Sequence, residues 1–236
     1  MRPEALPREI NFVKVGAVAA FLLAATLVVA IASFEALSEA NPSTETREFL
    51  DDISDNKNYA IAIVWLFAFS ALLIVPYTLG LYYGLRRWGE GYMRVAALFA
   101  VLAAIFSALG SATDAAFAAY ILPAWGEASD QATRAILLSD AKALSWASDA
   151  MFAMFSITIA IATIAASLVM LRLGGRLWLG LGWVGIASGV LGIIGAFFLA
   201  AEAFETVSFI SAILVLIWFL GVGVGLWRLP SEEAPV

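Results

Sequence analysis

Residues 59–84 read YAIAIVWLFAFSALLIVPYTLGLYYG, and residues 86–94 just after them read RRWGEGYMR. The first stretch holds no Asp, Glu, Lys or Arg, and it exceeds the roughly 20 apolar residues that a helix needs to cross a bilayer core. The second sets three arginines around two aromatic residues, the composition of a cytoplasmic turn at a membrane surface. Five further stretches share the apolar character, so the spans fall at about 12–36, 59–84, 94–122, 144–171, 177–203 and 206–227. The pattern predicts an all-α polytopic bundle of six transmembrane helices forming a single domain over residues 1–236. Short amphipathic helices are expected in the outer loops.

Composition agrees. The chain is 63% hydrophobic and 14% charged, against about 25% charged residues in soluble domains. Charge is sorted by side. With an inside start, Arg2, Arg8, Lys14, Arg86, Arg87, Arg94, Arg172, Arg176 and Arg228 face the cytoplasm with five glutamates, whereas the outer side has 14 acids and only Arg47, Lys57, Arg134 and Lys142. The positive-inside rule then places both termini in the cytoplasm and the chain in the plasma membrane. Arg2, Arg8 and Lys14 precede an apolar run that ends at Ala30-Ile31-Ala32, which looks like a cleavage site. The run is longer than a secretory h-region, so it reads as an uncleaved first span. The basic rim suits anionic lipid. No basic face exists for nucleic acid.

The chain has no Cys and no His. That excludes disulfides, thiol catalysis, His-held haem and typical zinc sites. No cofactor is implied, and a metal would need oxygen ligands.

Ala19, Ala20, Ala24 and Ala25 give the first span a small face. In the first outer loop, Asn41-Pro42 followed by Phe49, Leu50 and Ile53 predicts an amphipathic helix over the bundle mouth. Pro76 should kink the second span. Tyr77, Tyr82, Tyr83, Trp88 and Tyr92 read as an interfacial aromatic belt. The third span should stop at Pro123. Ala132, Ile136 and Leu137 suggest a weak amphipathic turn, and Ser139 or Asp140 should cap the fourth span. Gly182, Gly185, Gly189, Gly192 and Ala196 make a side-chain-free stripe on the fifth span, and Gly221 and Gly225 a second small pair on the sixth. Packing inside the bundle is the simpler reading. Homo-oligomerisation, or docking of a membrane partner through the fifth span, is the alternative.

An ionisable group within a span marks a functional candidate. Asp114 and Asp149 are the two that lie deepest. Ser107 and Ser111 share a helix face with Asp114, and Ser145, Ser148 and Ser156 lie on the side of Asp149. Glu35, Glu202 and Glu205 end neighbouring spans. The ion- or ligand-binding candidates are therefore Asp114, Asp149, Ser111, Ser145, Glu202 and Glu35, around an acidic outer vestibule that could bind a cation, proton or small solute. A non-catalytic assembly protein is the second reading. A lipid- or isoprenoid-active enzyme, with the aspartates as acid and base, is the third. No catalytic motif supports it.

The layout resembles a known group. The residues that carry the likeness are Gly80-Leu81-Tyr82-Tyr83-Gly84-Leu85-Arg86-Arg87, Trp178-Leu179-Gly180-Leu181-Gly182-Trp183-Val184-Gly185 and Gly221-Val222-Gly223-Val224-Gly225-Leu226-Trp227-Arg228. The chain is similar to prokaryotic six-helix membrane proteins of the domain of unknown function 4386 family. The resemblance implies a six-helix bundle and brings no activity or site residues with it.

Overall fold

The computed structural model describes residues 7–38, 50, 57–197 and 205–229. Among the described residues the elements are helical: α1 (Pro7–Ser38), α2 (Lys57–Ala116), a π-helical turn (Phe117–Ile121), α3 (Leu122–Glu127), α4 (Gln131–Leu173), α5 (Arg176–Phe197) and α6 (Glu205–Arg228). Five helical stretches among them are long and apolar enough to cross a membrane.

The longest element, α2, is not a single rod. Tyr77 and Ala100 line one crevice, although 23 residues of straight helix would hold them about 35 Å apart. Phe67 lies 5.8 Å from the ring of Phe152, and Gly110 abuts the same ring. The chain therefore folds back. It does so at Gly89, the one position within α2 with non-helical dihedrals (φ 178, ψ 65). Any residue can adopt that φ. The constraint at Gly89 is space, since a Cβ there would stand 2.9 Å from Val169 Cγ2. The nine-residue loop expected between residues 84 and 94 is thus mostly helix, with the reversal confined to one residue. Pro76 lies within the helix and keeps helical dihedrals, and the non-helical break in α2 is at Gly89.

Small residues fill the interior and large ones cover the exterior. Ala17, Ala20, Ala96, Ala100, Ala162, Ala165 and Ala166 are buried, whereas Trp65, Leu72, Tyr120, Trp146 and Trp183 are more than half exposed. A soluble protein would reverse this order. In lipid, outward apolar side chains lose nothing, and small inner residues let backbones approach. Of the small face predicted on α1, Ala19, Ala20 and Ala24 are buried and Ala25 is exposed. The closest backbone approach was not anticipated: Gly16 of α1 meets Gly80 of α2, so that a Cβ on Gly16 would lie 2.5 Å from Gly80 Cα.

Three further expectations are corrected. The helical path does not stop at Pro123. A π-turn precedes it, closed by the Leu122 N–H on the Phe117 carbonyl, and Pro123 then sits in the first turn of α3. A widened turn and a first-turn position both accommodate a residue without an N–H. The cap of α4 is neither Ser139 nor Asp140. Asp130 caps it, accepting from the Thr133 N–H at 2.8 Å, and the hydrogen bonds from Thr133 hold its carboxyl below the usual carboxylate range. Ala132, Ile136 and Leu137 are therefore the first turns of a 43-residue helix rather than a separate short one. At 1.5 Å per residue α4 runs to about 65 Å, well beyond a bilayer core of about 30 Å, so its outer end projects.

Of the first outer loop only Leu50 is described. It is fully buried against Ala118, Ile121, Leu122, Trp125 and Ala141, a second small core at the outer end. Asn41, Pro42, Phe49, Ile53 and the remainder of that predicted amphipathic helix lie outside the described residues.

Candidate functional site

The fold leaves a cavity of about 300 Å³ in the middle of the bundle, bounded by α1, both arms of α2, α4, α5 and α6. Its wall is apolar, with Leu23, Phe67, Ile74, Phe152, Phe155 and Phe219, and among the described residues no charged one lines it. The polar component is a set of hydroxyls. Thr26 comes from α1, Ser70 and Ser107 from the two arms of α2, Ser156 and Thr163 from α4, Ser188 from α5 and Ser211 from α6.

Three of these hydroxyls donate to backbone carbonyls: Thr26 to Leu23 at 2.9 Å, Ser70 to Leu66 at 2.9 Å, and Ser211 to Ser188 at 3.1 Å. They face the cavity with lone pairs only. The Ser188 hydroxyl is 1% exposed and has no hydrogen-bond partner. Gly189 and Gly192 of α5 also line the cavity.

Asp114 and Asp149 do not line this cavity. Asp114 is half-buried, accepts a hydrogen bond from the Ser148 hydroxyl and lies within electrostatic reach of Asp149. Asp149 itself is exposed, as is Ser145. The pair is thus brought together, to one side of the cavity. Asp114 stands seven residues, about 10 Å, along the helix from Ser107, and Asp149 the same distance from Ser156. Between the two levels sit Gly110 and the edge-to-face pair Phe67–Phe152. Ser111 is buried and its hydroxyl has no partner. Glu202 and the side chains of Glu35 and Glu205 lie outside the described residues. Among the described residues no three carboxylates converge on a metal-sized site.

The glycine stripe faces inward. A Cβ on Gly182 would stand 2.5 Å from Leu171 Cδ2, one on Gly189 2.5 Å from Ile164 Cγ1, and one on Gly192 3.3 Å from Ser211 Oγ. A Cβ on Gly185 would overlap the Ser167 hydroxyl. Gly221 and Gly225 are covered by Leu181 and Trp178. This surface is occupied within the chain, so it presents no open face to another copy.

The rim at the Gly89 end of the bundle is built from cations on aromatic rings: Arg86 over Tyr83, Arg87 over Trp88, Arg172 over Tyr92 and Lys14 over Trp227, at 3.8 to 5.0 Å. Tyr77 does not belong to it. Its ring is 2% exposed, edge-on to Trp218 and Phe219 deep in the core.

A family model, described as Domain of unknown function (DUF4386), matches residues 18–227. The chain belongs to the DUF4386 family. No curated protein and no solved structure matches it. As a DUF4386 member it is a multi-pass membrane protein whose family carries no assigned chemistry, and its function has to be argued from the cavity.

Sequence reasoning found Ser107 and Ser156 of this DUF4386 chain but not Thr26, Ser70, Thr163, Ser188 or Ser211. An isolated hydroxyl in an apolar helix commonly bonds its own backbone. Nothing local separates those cases from a hydroxyl that faces a cavity. The one usable signal was Ser188, set beside Gly189 within the glycine stripe.

Proposed function

We propose that this protein crosses the membrane six times, with both termini in the cytoplasm, and binds a small uncharged solute in its central cavity. The observation that carries the reading is the cavity itself. It is large, free of charge among the described residues, and dotted with hydroxyls contributed by every long helix, as ligand sites commonly are. An apolar body with one or two hydrogen-bonding groups matches such a wall, because a buried charge would find no counter-charge there. Asp114, Ser148 and Asp149 stand at its outer margin, behind Phe67 and Phe152. The six crossings follow if the two arms of α2 each span the bilayer. The inward side follows from the arginine-rich rim at Gly89, Arg172 and Arg228.

The natural absence of cysteine makes a direct test available. In Ser156→Cys, on the cavity wall and only half-buried, the introduced thiol is the only one in the chain. Methyl methanethiosulfonate, small and neutral, is expected to label it in reconstituted vesicles, and saturating cyclohexanol to slow that labelling at least several-fold. Ser145→Cys, outside the cavity, is expected to show no such protection. Equal effects at both positions, or no labelling of Ser156→Cys under conditions that label Ser145→Cys, would sink the cavity reading. For topology, green fluorescent protein fused after Val236 is expected to fluoresce, as it does when folded in the cytoplasm. A dark but full-length fusion would reverse the orientation.

A further inference from the structure

The cavity is not centred along the bundle axis. Contacts between helices at the Gly89 end set a common level there. Lys14 of α1 lies over the ring of Trp227 in α6, and Arg172 of α4 lies over Tyr92 in the second arm of α2. A Cβ on Gly84 of the first arm would meet Leu226, and one on Gly225 of α6 would meet Trp178 of α5. From Lys14, Gly84, Arg172, Trp178 and Leu226, the nearest lining residue stands nine positions along α1 (Leu23), ten along the first arm of α2 (Ile74), nine along α4 (Thr163), ten along α5 (Ser188) and seven along α6 (Phe219). At 1.5 Å per residue these offsets are all about 10–15 Å. Ser107 of the second arm lies farther still from Tyr92. The cavity therefore rests on a floor of similar thickness under every helix.

That floor is packed solid. Leu81, Leu85, Met93, Met170, Val222 and Leu226 are each at most 4% exposed. The crevice between Tyr77 and Ala100 amounts to only about 10 Å³, far too little for an organic solute. The other end differs. Leu27, Phe67, Phe152 and Ser156 line the cavity there, and each is half-buried rather than buried. Phe152 stands 20 residues from Arg172 along α4, or about 30 Å, so the cavity extends to the far boundary of a bilayer core of about 30 Å. We propose that the cavity is a dead-end pocket, filled only from the face of the membrane opposite the Gly89 turn. Its solute enters and leaves on that one side, and the floor of packed side chains denies it a path across the bilayer. The proposal rests on the cavity reading above and adds a side to it.

The test uses the full chain in sealed membrane vesicles of a single orientation, with one cysteine variant in each preparation. Gly91→Cys marks the Gly89 end, where position 91 is exposed and nothing lies within 4 Å of a Cβ. Ser145→Cys marks the other end, 27 residues from Arg172 along α4 and exposed. Methyl methanethiosulfonate crosses the membrane, so it is supplied on one side while impermeant glutathione destroys it on the other. Ser156→Cys is expected to follow Ser145→Cys. Glutathione on the Ser145 side should slow its labelling at least several-fold, and glutathione on the Gly91 side should leave it unchanged. One-sided access is overturned if Ser156→Cys instead follows Gly91→Cys, or if it labels equally in both arrangements, as entry from the lipid would produce. Labelling of both end markers with no labelling of Ser156→Cys in either arrangement would overturn the cavity reading itself, and the sidedness with it.

Discussion

Gly80→Leu is expected to abolish the folded protein. A Cβ at position 80 would collide with Gly16 Cα and stand 2.8 Å from the Phe12 carbonyl oxygen and 2.9 Å from Gly16 N. All of these are backbone atoms, so no side chain can swing aside, and α1 would have to leave α2. Two effects oppose each other here. A residue with a side chain favours helix over glycine by up to about 1 kcal/mol. Overpacking costs about 1–3 kcal/mol where side chains can move, and more where they cannot. The clash wins. The measurement is the monodisperse yield after detergent extraction, together with the melting temperature of whatever remains. Gly180→Leu serves as the control, because nothing lies within 4 Å of a Cβ there. Equal yields for the two variants would mean that α1 and α2 do not cross at these glycines.

The second large effect is expected at Gly185. A Cβ there would overlap the Ser167 hydroxyl and stand 2.6 Å from the Trp218 indole nitrogen. Gly185→Leu therefore has to push α5 away from α4 and α6 together, at a cost of about 3 kcal/mol or more. Size-exclusion profiles are expected to show loss of the monomer itself. A protein that docked another copy through this stripe would behave differently, since its monomer would survive and only the oligomer would vanish. The outward face of α5 carries Trp183, Val190 and Ile194 instead. The two glycine predictions are independent, because they concern different helix pairs with no shared partner.

The candidate site was only partly legible in the residues. A carboxylate inside an apolar span stands out because it is costly to put there, and Asp114 and Asp149 do meet at one level of the bundle. They do not line the central cavity, and Glu35 and Glu202, the other acids expected around a vestibule, lie outside the described residues. Hydroxyls carry no comparable cost, so Thr26, Ser70 and Ser188 looked like any other serine or threonine in a span. Gly16 and Gly80 were equally silent, being lone glycines rather than members of a stripe. Tyr77 was misplaced for a related reason: its position near Tyr82 and Tyr83 in the chain suggested the membrane surface, but helix rotation turns its ring into the core.

Length, hydropathy and charge by themselves determined that this chain is a membrane-embedded helical protein. They also set where its helices run to within a few residues at most ends. Those properties are sums over local residues, and the bilayer imposes them on each helix separately. Only the tertiary structure decided that α2 reverses at one residue and that the glycine stripe is closed from within. It alone also placed seven hydroxyls, from every long helix, around one space. Such features depend on how each helix is rotated and how deep it sits against its neighbours, quantities that no single apolar stretch contains.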